Sequence, residues 1–168
     1  RRRAAPLWNE KKYAELILIW HEIEALKLEQ YNIESPELSF TFYNLGRIYR
    51  LNGSNKRSDH YFKKAILLYN KKIKTGSATT SVGQLAIWHY LLGRIGVYSK
   101  DDVLAKNNYS SALRFYKVKQ GNTKLSASDT RRIKNMNDYY LSFNDHLNAA
   151  NTWQILLDDR IRKYGNDD

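Results

Sequence analysis

Three sets of side chains place recognition chemistry at regular intervals. Phe40, Tyr43, Asn44, Arg47 and Arg50 form the first. Ile87, Tyr90, Leu91 and Arg94, with Val97 and Tyr98 beyond, form the second. Arg131, Lys134, Asn135 and Asp138 form the third. Intervals of i, i+3, i+4 and i+7 put each set on one face of a helix. Arginine offers forked, charge-assisted hydrogen bonds to carboxylates. Tyrosine supplies contact area at low entropic cost. Such faces side by side would suit an extended peptide with acidic groups.

Catalytic chemistry is poorly represented. None of the histidines His21, His60, His89 and His146 pairs at i, i+4 with a second metal ligand, and His21-Glu22 lacks the second histidine of a zincin-like pattern. No Gly-x-Ser-x-Gly occurs, and no glycine-rich loop follows a strand. The absence of cysteine removes thiol nucleophiles, Cys-based zinc sites and disulfides. The residues therefore read as a non-enzymatic protein without metal or cofactor, with His60 and His89 as structural or surface groups.

The chain has 168 residues, 42% hydrophobic, and a net charge of +11. That length suits one domain or a short repeat array, and the apolar content supports a real core. The charge is uneven: −1 over residues 1–38, +15 over 39–136 and −3 over 137–168. A basic middle is either a solvated surface or a face for an acidic partner. The longest apolar run, Leu16-Ile17-Leu18-Ile19-Trp20, is far short of the roughly 20 residues that span a bilayer. The compartment stays open, the cytoplasm being favoured.

The elements that would carry these faces repeat. Leu45-Gly46-Arg47-Ile48 recurs as Leu92-Gly93-Arg94-Ile95, an offset of 47 residues. At that offset Phe62 becomes Tyr109, Ala65 becomes Ala112, Ile66 becomes Leu113 and Tyr69 becomes Tyr116. Phe42, Leu45, Gly46 and Tyr49 mark one helical face. Asn52-Gly53-Ser54-Asn55 reads as a turn. Tyr61, Phe62, Ala65, Ile66 and Tyr69 mark the next helix. Ser35-Pro36-Glu37 is a helix-start signal, and Gly76 and Gly121 read as stops. A glycine inside a helix costs about 1 kcal/mol relative to alanine. Gly46 and Gly93, recurring at one place, imply a close helix crossing.

These residues resemble the tetratricopeptide repeat family. The first full unit reads Phe42, Leu45, Gly46, Tyr49, then Ser58, Phe62, Ala65. The second reads His89, Leu92, Gly93, Gly96, then Ala105, Tyr109, Ala112, departing at His89 and Gly96. A degenerate third reads Ile133, Met136, Asn137, Tyr140, then Ala149, Trp153, Leu156, with Asn137 in place of the small residue. Tyr13, Leu16, Trp20 and Ile23 resemble the second helix of a partial unit, whose first helix is missing or reduced to the stretch around Leu7-Trp8. The unit spacings of 42, 47 and 44 residues resemble the long-helix variant.

The resemblance implies an all-α fold: about seven helices in a right-handed superhelical array of antiparallel pairs. The units would be residues 10–34 (partial), 35–76, 79–121 and 126–164 of a single domain. It also implies that first helices line a concave groove, bringing together Phe40, Tyr43, Asn44, Arg47, Arg50, Ile87, Tyr90, Leu91, Arg94, Tyr98, Arg131 and Lys134. The family's carboxylate clamp is not carried over, because Tyr43 and Leu91 stand where it uses polar groups. Arg47 and Arg94 are equally candidates for the array's own packing. Lys63, Lys64, Lys71, Lys72 and Lys74, with Arg114, Lys117 and Lys119, would decorate the convex side.

The expected function is protein or peptide binding, as an adaptor or assembly module for an acidic partner. A peptide-sensing domain of a larger bacterial regulator and a charge-driven nucleic-acid binder are the alternatives. Leu16 through Trp20 is apolar all round, so a missing helix, a neighbouring domain or a second copy of the chain should cover it. Residues 1–168 would then be the C-terminal part of something larger, or would dimerise through this helix. Asp158, Asp159, Arg160, Arg162 and Lys163 read as a polar cap closing the array.

Overall fold

The structure, a computed structural model, describes residues 4–76 and 80–165. The expected repeat boundary at 79 lies outside the described residues. Among them are eight α-helices and no strand: α1 (Ala4–Asn9), α2 (Tyr13–Leu28), α3 (Ser39–Leu51), α4 (Asn55–Thr75), α5 (Val82–Ser99), α6 (Asp102–Asn122), α7 (Ala127–Ser142) and α8 (His146–Tyr164). The helix beyond the expected seven is the short α1, built on Leu7-Trp8. No helix among the described residues is long and apolar enough to cross a membrane.

The turn joining each helix pair recurs four times. Lys11, Gly53, Lys100 and Asn144 all take the left-handed conformation, with φ of 56°, 79°, 58° and 55°. Their spacings are the 42, 47 and 44 residues of the sequence repeat. At each turn the following N–H reaches back five residues: Lys12 to Leu7 O at 3.0 Å, and Ser54 to Tyr49 O, Asp101 to Gly96 O and Asp145 to Tyr140 O, each at 2.9 Å. This is the Schellman arrangement, which satisfies carbonyls left free at a helix end. Only one of the four positions is glycine, the residue without a Cβ penalty there. Lys100→Gly is therefore expected to raise stability by about 1 kcal/mol. A urea midpoint unmoved or lowered by the substitution would contradict that.

The described residues fall into two compact units. One holds residues 4–76 and 94–102, the other 80–93 and 103–165. In the first unit α2 packs on α3: Leu16 and Trp20 are buried with Leu45, Ile48 and Tyr49, and Leu7, Trp8, Ile17 and Ile23 pack partly against them. Most of the apolar α2 run is thus covered locally, by α1 and α3. Leu18 is the exception, 66% exposed. The start signal at Ser35-Pro36-Glu37 produces a single 3-10 turn, Pro36–Leu38, leading into α3; the Ser35 hydroxyl accepts the Glu37 N–H.

Gly46 and Gly93 leave no room for a side chain. A Cβ on Gly46 would lie 2.5 Å from Phe62 Cδ1, and one on Gly93 would lie 2.5 Å from Tyr109 Cε1. Each glycine is the seat of an aromatic ring from the next helix, at the same offset. The third pair is built differently. Asn137 is buried and accepts the Thr152 hydroxyl at 2.8 Å. A side chain already fills the space, so small Thr152 faces α7 instead of the expected Trp153. Trp153 turns out to solvent and is 54% exposed. Gly76 does follow the end of α4, but α6 continues through Gly121 to Asn122.

In the second unit Asp129 is nearly fully buried at the start of α7. Its carboxylate accepts from Lys119 at 2.7 Å, from the Ser126 N–H and hydroxyl, and from Arg132 at 3.2 Å. Burial alone would raise its pKa. The hydrogen bonds from Lys119 and Ser126 overcome that and hold it below the usual carboxylate value.

Candidate functional site

Four of the twelve residues expected to line a groove serve the core. Tyr43, Asn44, Tyr90 and Leu91 are all buried. Tyr43 stacks on Phe40, and the Asn44 side chain donates to Phe40 O at 2.7 Å. Tyr90 stacks on Tyr109, and its hydroxyl accepts from Asn135 at 2.9 Å. Tyr90 thereby packs against the ring that seats on Gly93. Phe40 is 38% exposed with its edge against Trp20. Ile87 is half-buried beside Gly83 and Lys119.

The arginines are also drawn into packing. Arg47 lies over the Trp8 ring at 4.1 Å, a cation–π contact that binds α1 to α3. Arg50 reaches Asn55 at 3.1 Å and pairs with Asp59. Arg94 donates to the half-buried Tyr98 hydroxyl and lies over its ring. The alternative held open for both arginines, the array's own packing between units, fits the Arg47–Trp8 contact, whereas the Arg94–Tyr98 contact lies within one helix. Arg131 and Lys134 stand on an exposed face of α7.

The basic second helices are partly absorbed too. Lys64 lies over Phe42 and Tyr61, Lys71 donates to Glu34 O, and Lys72 pairs with Glu37 at 3.7 Å. His89 stacks on Phe115 and bonds to Asn108 at 3.0 Å; burial lowers its pKa against the raising effect of that bond.

One constellation had no linear signal. His21 bonds Glu24 through Nδ1 at 2.8 Å and Tyr49 through Nε2 at 2.7 Å, while Tyr61 donates to Glu24 at 3.3 Å and stacks on Tyr49. A neutral imidazole would donate to the carboxylate and accept from the phenol. Only the i, i+3 spacing of His21 and Glu24 was available from sequence; Tyr49 lies 28 residues away. The network joins α2 to α3 and α4. No group of three or more His, Asp or Glu among the described residues is placed to hold a metal ion.

A candidate site that sequence reasoning reached only at Lys134 lies on α7 and α8. A cleft of about 720 Å³ runs beside α8, lined by Thr130 and Lys134 of α7 and by Trp153, Leu156, Leu157, Arg160, Lys163 and Tyr164 of α8 among others. Trp153, Leu157, Ile161 and Tyr164 are 54%, 50%, 41% and 75% exposed. Their intervals of 4, 4 and 3 residues put them on one face. Helix α8 is thus apolar twice over: Ala149, Thr152 and Ile155 face the core, and this second stripe faces solvent.

That corrects the expected polar cap. Three of the charges at the end of α8, on Asp159, Arg162 and Lys163, are turned toward the end of α6 and the segment that follows it. Buried Asp159 accepts the Leu125 N–H at 2.8 Å and pairs with Lys163 at 2.5 Å. Lys163 also donates to Leu125 O, and Arg162 to Gln120 O. Arg160 and Lys163 also line the cleft, and the apolar stripe stands open beside them. The signal was present in the sequence as Trp153, Leu157, Ile161 and Tyr164, but the fitted repeat pattern assigned Trp153 to the core.

Comparison of the chain with protein-family models, with curated proteins and with solved structures gives no match.

Proposed function

We propose that the chain is a non-enzymatic protein-binding module of tetratricopeptide-like, long-helix pairs in a right-handed superhelical array, and that its α7–α8 cleft takes an acidic amphipathic helical segment of a partner. The recurrence of one left-handed turn at spacings of 42, 47 and 44 residues supports the repeat part of this reading. The twofold use of a glycine as an aromatic seat supports it further.

The observation that carries the binding part is the exposed Trp153–Leu157–Ile161–Tyr164 stripe beside the cleft. Contiguous apolar surface of this kind marks interaction sites, and tryptophan and tyrosine are the residues that dominate binding energy. Its linear form along one helix suits an apolar helix face laid beside it. The lining carries Lys134, Arg160 and Lys163 against one carboxylate, Asp159, so acidic flanks on the partner helix are favoured. Arg131 extends the positive rim by one turn. In this reading the binding face moves from the expected Tyr-lined groove to the last helix pair, and the preference for an acidic partner is kept.

A synthetic helical peptide with leucines at i, i+4 and i+7 flanked by glutamates is the probe. It is expected to bind with micromolar affinity, to weaken by about tenfold as salt rises past the range where the Debye length falls below 10 Å, and to be lost in Trp153→Ser/Leu157→Ser. Both substituted residues are about half exposed, so the melt should move little. Binding that is insensitive to these substitutions, or absent at low salt, would overturn the reading.

A further inference from the structure

The molecule itself carries a surface with the chemistry this cleft would take. The outer face of α2 exposes Glu15, Leu18, Glu22, Ala25, Leu26 and Glu29. Leu18 and Leu26 are 66% and 60% exposed, on the side of α2 away from its buried Leu16 and Trp20. The three glutamates, the last of them at the C-cap, stand seven residues apart, so they form a single acidic row that runs between the two leucines. Leu18 and Leu26 are separated by eight residues, as are Trp153 and Ile161, which is a rise of about 12 Å in both helices. The acidic row would meet Lys134, Arg131 and Arg160 at the cleft rim. Neither face is covered among the described residues of its own unit.

We infer that the chain self-associates head to tail, the outer face of α2 from one copy seating along α8 in the α7–α8 cleft of the next. This rests on the reading of the cleft given above and names its occupant as a second copy. The contact uses two different surfaces, so it is heterologous. Each copy that is bound through α2 still offers its own cleft. Growth past a dimer follows, unless the geometry closes a ring.

Two variants isolate the two faces. Leu18→Lys/Leu26→Lys places cations opposite a basic rim and leaves the cleft intact. Trp153→Ser/Leu157→Ser removes the apolar stripe and leaves α2 intact. All four positions are about half exposed or more, and circular dichroism with a thermal melt checks that both variants fold. Sedimentation equilibrium of the wild-type chain over a hundredfold concentration series is expected to show the average mass rising at least about twofold, and less so at high salt. Each variant alone should stay monomeric. An equimolar mixture should give a 1:1 complex of twice the monomer mass and nothing larger, because one intact α2 face and one intact cleft remain.

A wild-type chain that is monomeric throughout, a mixture that does not associate, or an α2 variant that still self-associates would each overturn the inference. The acidic peptide separates this from failure of the cleft reading. The α2 variant should bind that peptide as the wild type does. Peptide binding without self-association leaves the cleft as a partner site and removes the second copy as its occupant. Loss of both removes both.

Discussion

Gly93→Leu is expected to abolish the cooperative melt. Even one added carbon is in trouble at this position: the Cβ would sit 2.5 Å from Tyr109 Cε1, against a comfortable carbon–carbon separation of about 3.5–4.0 Å. Tyr109 has nowhere to move. It is 1% exposed, and its ring is held by those of Tyr90, Tyr139 and Tyr140 at 5.9, 5.0 and 6.4 Å. The helix-propensity gain of Gly93→Ala, about 1 kcal/mol, is outweighed by overpacking, which typically costs 1–3 kcal/mol. Leucine adds three further carbons to the same contact. The loss then approaches the whole of a native stability of roughly 5–15 kcal/mol.

The mechanism can be isolated from a general effect of mutating a helix. Gly121→Ala sits in α6 with nothing within 4 Å of its added Cβ and without a positive φ, so it is expected to be neutral or mildly stabilising. Tyr109→Ala should cost about 3–5 kcal/mol alone. In that background Gly93→Ala should become harmless, giving a coupling of about 2 kcal/mol in the double-mutant cycle. An unchanged melt for Gly93→Leu, or a cycle with no coupling, would show that the crossing is not close.

The sequence made this crossing legible because two independent positions carried the same anomaly. A glycine in mid-helix is unfavourable locally, so its recurrence with Leu45 and Leu92 pointed to a tertiary cause. The turns were legible by spacing but not by residue. Gly53 announces a left-handed conformation, whereas Lys11 and Lys100 occupy it against their preference, and only the repeat period places them. The α2 run was read as apolar on every side, and its cover was sought outside the visible chain. A six-residue helix contributing Leu7 and Trp8 was too short to register as a partner, yet it shields part of that surface.

The burial of four expected groove residues has a different cause. Helical spacing fixes which residues share a face, but not whether that face meets solvent. Tyr43 and Tyr90 keep the expected spacing and are buried, Tyr43 stacked on Phe40 and Tyr90 on Tyr109, the ring seated on Gly93. Arg47 and Arg94 keep it as well and are held by Trp8 and Tyr98. The third pair then shows how one substitution shifts a register. With Asn137 where a glycine stood, an aromatic ring cannot enter, Thr152 takes the contact, and Trp153 one residue on becomes surface. The α7–α8 cleft therefore follows from the very departure that made this unit look degenerate.

Asp159→Ala is the second substitution from which a large effect is expected. Asp159 is 4% exposed and ties the linking segment to α8 by accepting the Leu125 N–H at 2.8 Å. Without the carboxylate that N–H is buried and unpaired, which costs about 1–3 kcal/mol. The Lys163 ammonium, at 2.5 Å from Asp159, loses its ion partner, although a side chain that reaches solvent limits that part of the loss. Together the expected destabilisation is about 2–4 kcal/mol. Asp159→Asn still accepts from Leu125 and loses only the ion pair, so it should cost about 1 kcal/mol. Urea midpoints give these differences directly. The effect should also be local, because Arg160, Lys163 and Tyr164 of the same two turns line the cleft. Faster hydrogen exchange at Leu125 and along the end of α8, with weaker binding of the acidic helical peptide, is the expected signature in Asp159→Ala. Equal losses for alanine and asparagine would assign the anchor to the ion pair instead. An unmoved midpoint for alanine would mean that the carboxylate does not fasten α8 to the segment before α7, and the cleft would then owe its shape to the apolar packing of Ala149 and Ile155 alone.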